Sequence, residues 1–282
     1  MAEIISFYSV AHSQGKKTLS LTFAKLLAEN EHKVLYVELD YRKPSVALST
    51  QITHTRRNTN EYFQETVVKE SFDVERHVLT KEELLKTEDR NVKKLYSNLP
   101  KRLDYLIYPI SFQESNFPTI IQDQEKAEQE AQDFISKFIY SLKTTKYEYV
   151  ILNLPIELYS IFGFEVIGSS DKVVNIVTPS ATRLFENKNA ITFLSSNIPN
   201  LEENWNIVMN MTSEEVDPSE YNQLVKEEPI LIPYDIHRQK EELSLQIGSE
   251  TIQEKLESLA LKLNISITQT SPRKRTFFNR GV

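Results

Sequence analysis

Apolar and polar positions follow two rhythms along the chain, and the rhythms alternate. Residues 1–10 form a nearly continuous apolar run through Ile4, Ile5, Phe7, Tyr8 and Val10. The same signal returns as VLYVEL (34–39), LDYLIY (103–108, stopped by Pro109), YVILNL (149–154), KVVNIV (172–177), NIVMNM (206–211) and the short run 230–233. Runs of this kind suit strands covered on both faces, as in a parallel sheet. Between them the spacing becomes helical. Leu21, Ala24, Leu27 and Ala28 share one face after Gly15, and residues 119–143 and 181–196 carry similar stripes. Ile252, Leu256, Leu259 and Leu263 form the last stripe, over 249–263. Repeated strand–helix–strand order predicts an α/β fold, a doubly wound, mostly parallel sheet with helices on both faces.

Residues 51–101 break the alternation. They are dense in charge, with short helical patches and no clear strand, and are expected to be a surface helical insertion in a single domain spanning 1–267. Thr268–Pro272 then leads into a basic tail, 268–282.

Composition narrows the chemistry. With 282 residues and 40% hydrophobic side chains, the chain can fill a large α/β core. It has no cysteine, which excludes disulfides, thiolate zinc sites and a thiol nucleophile, and its five histidines show no metal-ligand spacing. Neither a signal-peptide pattern at the N-terminus nor a long apolar stretch is present, so a cytoplasmic protein is expected. The net charge of −7 is segregated, because residues 258–282 carry Lys262, Arg273, Lys274, Arg275 and Arg280 without an acid, leaving −12 on the rest. Such a body repels nucleic acid, and specific nucleic-acid binding is not expected.

The first strand–helix junction carries the clearest chemistry. A phosphate-binding loop needs glycine where backbone N–H groups approach the anion, a lysine for the phosphates and a hydroxyl for Mg²⁺, all at a helix N-terminus. Val10-Ala11-His12-Ser13-Gln14-Gly15-Lys16-Lys17-Thr18 stands in that context, and Gly15 is the only glycine before Gly163. Ser13, Gln14, Gly15, Lys16, Lys17 and Thr18 are therefore candidate nucleotide-binding residues. The competing reading of GKKT is a solvated helix start.

Several segments, in order, resemble the ParA/MinD/TadZ superfamily of P-loop ATPases. VLYVELDYRKPSVAL (34–48) is similar to the switch strand, with Glu38-Leu39-Asp40 in place of Asp-x-Asp. KYEYVILNLP (146–155) resembles the strand that ends in the Walker B carboxylate, here Asn153. DKVVNIVTPS (171–180), NIVMNM (206–211) and ILIPYD (230–235) resemble the strands that follow. The resemblance covers about residues 1–48 and 103–263. It implies ATP or ADP as ligand, Glu38 and Asp40 as catalytic acids, and Asn210 and Pro233 on the adenine side.

The departures are as informative. Val10 replaces the leading glycine, His12-Ser13 stand at a Gly-Gly pair, Lys17 takes the place of the Mg²⁺-binding hydroxyl, and Ala11 stands where a signature lysine reaches across the dimer. Together with Asn153 they imply weak or absent Mg²⁺ binding and weak or no hydrolysis. The expected function is a homodimeric localisation or assembly factor for a membrane-associated machine of division, pilus or secretion type, recruiting its protein partners. An active ATPase switch, with Thr18 supplying the hydroxyl one position late, is the alternative. A kinase-like regulator of polysaccharide export is a third reading, suggested by Asp40-Tyr41-Arg42-Lys43-Pro44-Ser45. The tail residues Arg273, Lys274, Arg275, Phe277, Phe278 and Arg280 combine cations with paired aromatics, suiting an anionic membrane surface or a partner, with peripheral membrane attachment as the consequence. His12 has no assignable catalytic partner, and Trp205, Phe134, Phe138 and Phe185 read as packing residues.

Overall fold

A computed structural model describes residues 1–42, 45–225, 228–238 and 250–268. The tail residues 273–280 lie outside the described residues, as do Lys43 and Pro44. Seven strands form one sheet: β1 (Glu3–Tyr8), β2 (Val34–Glu38), β3 (Leu103–Leu106), β4 (Tyr149–Asn153), β5 (Lys172–Val177), β6 (Trp205–Thr212) and β7 (Ile230–Pro233). Their order is β3-β2-β4-β1-β5-β6-β7, with every neighbouring pair parallel.

Alternation along β1 divides the core into two. Ile5 and Phe7 face the helix Lys16–Glu29, through Leu19, Phe23 and Leu27, and the helix Glu250–Lys262, through Ile252, Leu256 and Leu259. Ile4 and Tyr8 face the opposite core, built with Ile135, Phe138 and Leu142 of the helix Ala127–Lys143 and with Leu194 of the helix Ala181–Asn197. Both faces of the sheet are thus covered, as the apolar runs require. The helix at 127–143 begins later than the apolar spacing from 119 suggests. The Glu130 carboxylate, in its first turn, instead accepts the backbone N–H groups of Gln122 and Asp123 at 2.6 and 3.2 Å, tethering the preceding segment outside the helix.

Residues 51–101 hold several short helices whose apolar side chains reach the core. They form the short helices Thr59–Lys69, Val74–His77, Lys81–Leu84 and Arg90–Ser97. Asn58, Thr80 and Asp89 cap three of them by accepting first-turn N–H groups. Tyr62, Phe63 and Val78 enter one core, and Leu79, Leu84 and Tyr96 the other. Between them Leu79 exchanges backbone hydrogen bonds of 2.7 and 3.1 Å with Tyr105, covering the exposed edge of β3. The segment wraps the end of the sheet.

This topology sets the position of the site. β1 is flanked by β4 and β5, and Asn153 at the end of β4 pairs with both Phe7 of β1 and Glu38 of β2. The C-terminal ends of β1, β2 and β4 therefore lie side by side where the strand order reverses, the place at which ligands bind in open α/β sheets.

Candidate functional site: a cationic cleft at the end of β1

The loop leaving β1 coils before it enters the helix Lys16–Glu29. Ser13 and Gly15 both take left-handed backbone conformations, with φ of 62° and 88°. At Gly15 the requirement is twofold. The conformation disfavours a side chain, and a Cβ there would lie 2.3 Å from Asn210 Nδ2. Asn210 approaches because its amide donates to the Gln14 carbonyl at 2.8 Å, tying β6 to the loop from beneath. Gly15 is the N-cap of the helix, which has no side-chain cap and no acid in its first turn. Its positive end is left for an anion.

A cleft of about 410 Å³ opens above this loop. Residues Ala11 to Thr18 line it, with Asp40, Ser45 and Asn153 on the far side and Arg238 on another. Ser13, Gln14, Gly15, Lys16, Lys17, Thr18 and Asp40 are thus brought together, whereas Glu38, Asn210 and Pro233 are not among the lining residues. Asn210 acts on the loop from below, and Pro233 ends β7 opposite Thr212.

Lys16 is buried. Its ammonium donates to the Leu154 carbonyl and lies 3.9 Å from an Asp40 carboxylate oxygen. Burial lowers the Lys16 pKa to about 8, with Asp40 and Glu157 opposing the shift. Asp40 is raised, again chiefly by burial, with Lys16 pulling it back.

Glu38 has a different environment. It is fully buried, and its carboxylate accepts from Ser45 Oγ at 3.0 Å, from the Val46 N–H at 3.1 Å and from the Tyr108 N–H at 3.3 Å. Burial raises its pKa to about 7, against the lowering effect of these hydrogen bonds. Glu38 thus joins β2 to the start of the helix Ser45–Thr50 and to the chain leaving β3. The catalytic role expected for Glu38 needs a carboxylate facing the cleft; here both oxygens are directed to other partners.

Arg238 was not legible in the sequence. It belongs to no motif, and the only signal is a cation three positions after Asp235. Its N–H donates to the Asp235 carbonyl at 3.3 Å, turning the chain after β7 back over the loop. Two guanidinium nitrogens come within 3.0 and 3.4 Å of the position that a Cβ on Gly15 would occupy.

The lining residues suit a polyphosphate better than a metal ion. Gln14 and Asn153, each no more than 2% exposed, carry side-chain amide atoms without a protein partner. Such buried atoms are favourable only when a ligand or water meets them. A divalent cation requires several oxygen donors, preferably anionic. Among the described residues the only carboxylate lining the cleft is Asp40, paired with Lys16, while Lys17 and Asn153 occupy the positions at which a hydroxyl and a second carboxylate would serve. Among the described residues no group of three His, Asp or Glu side chains is placed to hold a metal.

No protein-family model matches the sequence, and no curated protein sequence matches it either. Solved structures do. A plasmid partition protein from Borrelia burgdorferi B31, bound to AMPPNP, superposes with a TM-score of 0.67 at 16% identity, covering 93% of this chain and 100% of that one. A ParA-family ATPase from Chlorobium tepidum TLS gives 0.64 at 14% identity, covering 93% and 99%. The septum site-determining protein MinD from Pyrococcus horikoshii OT3, complexed with Mg-ADP, gives 0.62 at 16% identity, covering 92% and 98%. The chain therefore has the fold of the ParA- and MinD-type P-loop ATPases, over nearly its whole length.

Proposed function

We propose that this chain is a ParA/MinD-like protein that binds ATP or ADP through the loop Ser13–Thr18, hydrolyses ATP weakly or not at all, and works as a homodimeric localisation or assembly factor for a membrane-associated machine. One observation carries the reading. The loop, Gly15 and Lys16 make a cationic cleft at an uncapped helix end, while Asp40, already paired with Lys16, is the single carboxylate lining it among the described residues. Phosphate binding needs the first set; Mg²⁺-assisted hydrolysis needs more carboxylate than the second supplies.

The nucleotides bound by the partition protein and by MinD favour ATP or ADP as the ligand class. Among the described residues no helix is long and apolar enough to cross a membrane. Membrane contact is assigned to Arg273–Arg280, whose cations and two phenylalanines suit an anionic surface. Two tails in a dimer raise the effective concentration of anchors. The active-switch alternative draws on Lys16 and Thr18, which line the cleft, and on Glu38, which does not.

Calorimetry with ATP and ADP, together with phosphate release measured with and without Mg²⁺, tests the central claim. Binding without appreciable turnover is expected. Mg²⁺-dependent hydrolysis abolished by Lys16→Ala would overturn it in favour of the active switch. Sedimentation with anionic and neutral vesicles, comparing the full chain with one ending at Ser271, tests the tail; equal binding by both would remove the membrane from the proposal.

A further inference from the structure

We propose that the groove between the helices Ala181–Asn197 and Pro218–Val225 is the docking site of this chain's own C-terminal segment, with Phe277 and Phe278 seated between its apolar walls and the flanking cations set against an acidic rim. A docked tail and a membrane-attached tail exclude one another, so the groove controls how much of the tail is free to act as the anchor proposed above.

The helix Ala181–Asn197 is poorly covered. Of its 17 residues only Asn187 and Leu194 are buried. Phe185 is 65% exposed, and Leu224, on the facing helix Pro218–Val225, is 52% exposed. Both line a hollow of about 400 Å³ together with Leu184, Ile191, Ile207 and Val225. A second hollow of about 330 Å³ shares Ile191, Ile207 and Val225, and extends the trough to Trp205 and Glu202. Apolar side chains exposed together in this way mark an interaction surface. Trp205 is 8% exposed, and its indole N–H has no acceptor among the described residues. A peptide carbonyl in the trough supplies one.

Charge selects the occupant. From Leu201 to Val225 the chain carries Glu202, Glu203, Glu214, Glu215, Asp217 and Glu220, and no lysine or arginine. These acids belong to the helix Leu201–Asn204, to the turn after β6 and to the helix Pro218–Val225, and Glu202 lines the trough itself. The opposite wall contributes Lys188 and an Arg183–Glu186 ion pair of 3.0 Å. Residues 269–282 are the complement, with Arg273, Lys274, Arg275 and Arg280, no acid, and two phenylalanines between the cations. Adjacent aromatic rings suit the trough, and cations before and after them suit its rim.

The segment is long enough. Thr268 donates its N–H to Asn30 Oδ1 at 2.8 Å, and the Ser266 carbonyl lies 2.8 Å from His32 Nε2, which fixes the point of departure beside the start of β2. The strands are parallel, so Trp205, at the start of β6, lies at the same end of the sheet, four places along from β2. Four strand spacings are about 19 Å. Extended chain from Thr268 to Phe277 spans about 30 Å, enough to pass beneath that end to the other face.

Limited tryptic digestion of the full chain, without nucleotide or lipid, tests the docking, so its failure is separate from failure of the nucleotide or membrane roles. The readout is cleavage after Arg273, Lys274 and Arg275. Phe277→Ala/Phe278→Ala and, separately, Phe185→Ser/Leu224→Ser should each speed cleavage by about tenfold. Raising NaCl to about 0.5 M should speed it in the native chain and much less in the variants. Trp205, the chain's one tryptophan, reports from the groove, and its emission should shift when the two tail rings are removed. Thermal unfolding should be unchanged, because Phe185 and Leu224 are exposed. Equal cleavage rates in all three chains with an unmoved Trp205 emission would overturn the proposal. Faster cleavage on loss of the tail rings but not of the groove residues would also refute it, since the tail would then be held elsewhere. Protection that grows with protein concentration would refute the docking within one chain and assign the groove to the tail of a second copy.

Discussion

The two sides of the cleft differ in what they keep. On the loop side Gly15 holds its left-handed turn, Asn210 ties the loop to β6, and Lys16 projects from an uncapped helix end. On the far side Asn153 presents an amide, and Glu38 is turned away into hydrogen bonds with Ser45, Val46 and Tyr108. Asp40 reaches the cleft but is paired with Lys16. Binding a polyphosphate and activating water through a metal use different atoms, so one can be retained while the other is lost. The fold does not distinguish the outcomes, because the same strand ends position both sides.

The sharpest way to break this contrast is at Gly15. Gly15→Val places a β-branched residue at φ 88° with its Cβ 2.3 Å from Asn210 Nδ2. A left-handed β-branched residue plus the overlap should cost about 3 kcal/mol in urea unfolding, and nucleotide binding should be lost with it. A variant that keeps both stability and affinity would show that the loop is not a phosphate cradle.

Glu38 tests the other side. Glu38→Ala strands two buried backbone N–H groups and the Ser45 hydroxyl, and should destabilise the fold by about 2 kcal/mol. Nucleotide affinity, measured where the variant is folded, should change less than about threefold, because the carboxylate does not line the cleft. A large affinity loss at unchanged stability would return Glu38 to the site.

Much of the fold is legible in the apolar runs, since strands buried on both faces show no alternation that a register slip would disguise. The strands at 172–177 and 230–233 match their runs, and the others differ at their ends by a few residues. What periodicity cannot show is partnership. Glu38 and Asp40 are two residues apart and chemically alike, yet one joins buried elements and the other meets Lys16, because that depends on where residues 45 and 108 return in space. Arg238 is hidden for the same reason, lying far from Gly15 in sequence and next to it in the fold. The helices over 59–97 are too short for a clear stripe, so their role in covering β3 is visible only in three dimensions.

Lys16 gives the comparison a pH signature. Its pKa is about 8 in the folded chain, against about 10.4 for an unfolded lysine. Between these values the unfolded chain binds more protons, so this group's contribution to stability improves as pH rises through the window. Nucleotide affinity should move the opposite way, because the phosphates favour the ammonium, falling by up to about tenfold per pH unit above pH 8. Calorimetry and thermal unfolding between pH 7 and 10, with Lys16→Met as reference, read both trends. Parallel trends, or equal pH dependence in the variant, would mean that Lys16 does not meet the ligand.

The smallest effect is expected at Asn153. Asn153→Asp restores a carboxylate at the end of β4, where a metal-assisted site would want one, but the position is only 1% exposed and shares the cleft with Asp40. Burial and the neighbouring carboxylate both raise the pKa of a new acid there, so it would be partly neutral near pH 7. Lys17 would still stand at the hydroxyl position and repel an incoming divalent cation. The ratio of ATP affinities with and without Mg²⁺ should therefore change by less than about threefold, and phosphate release should stay at background. Adding Lys17→Thr removes the obstructing ammonium and should make the two substitutions more than additive, since they act on one ion. If Asn153→Asp alone instead produced Mg²⁺-dependent turnover, the far side of the cleft would be one side-chain atom away from a working metal site, and Lys17 would be no barrier to it.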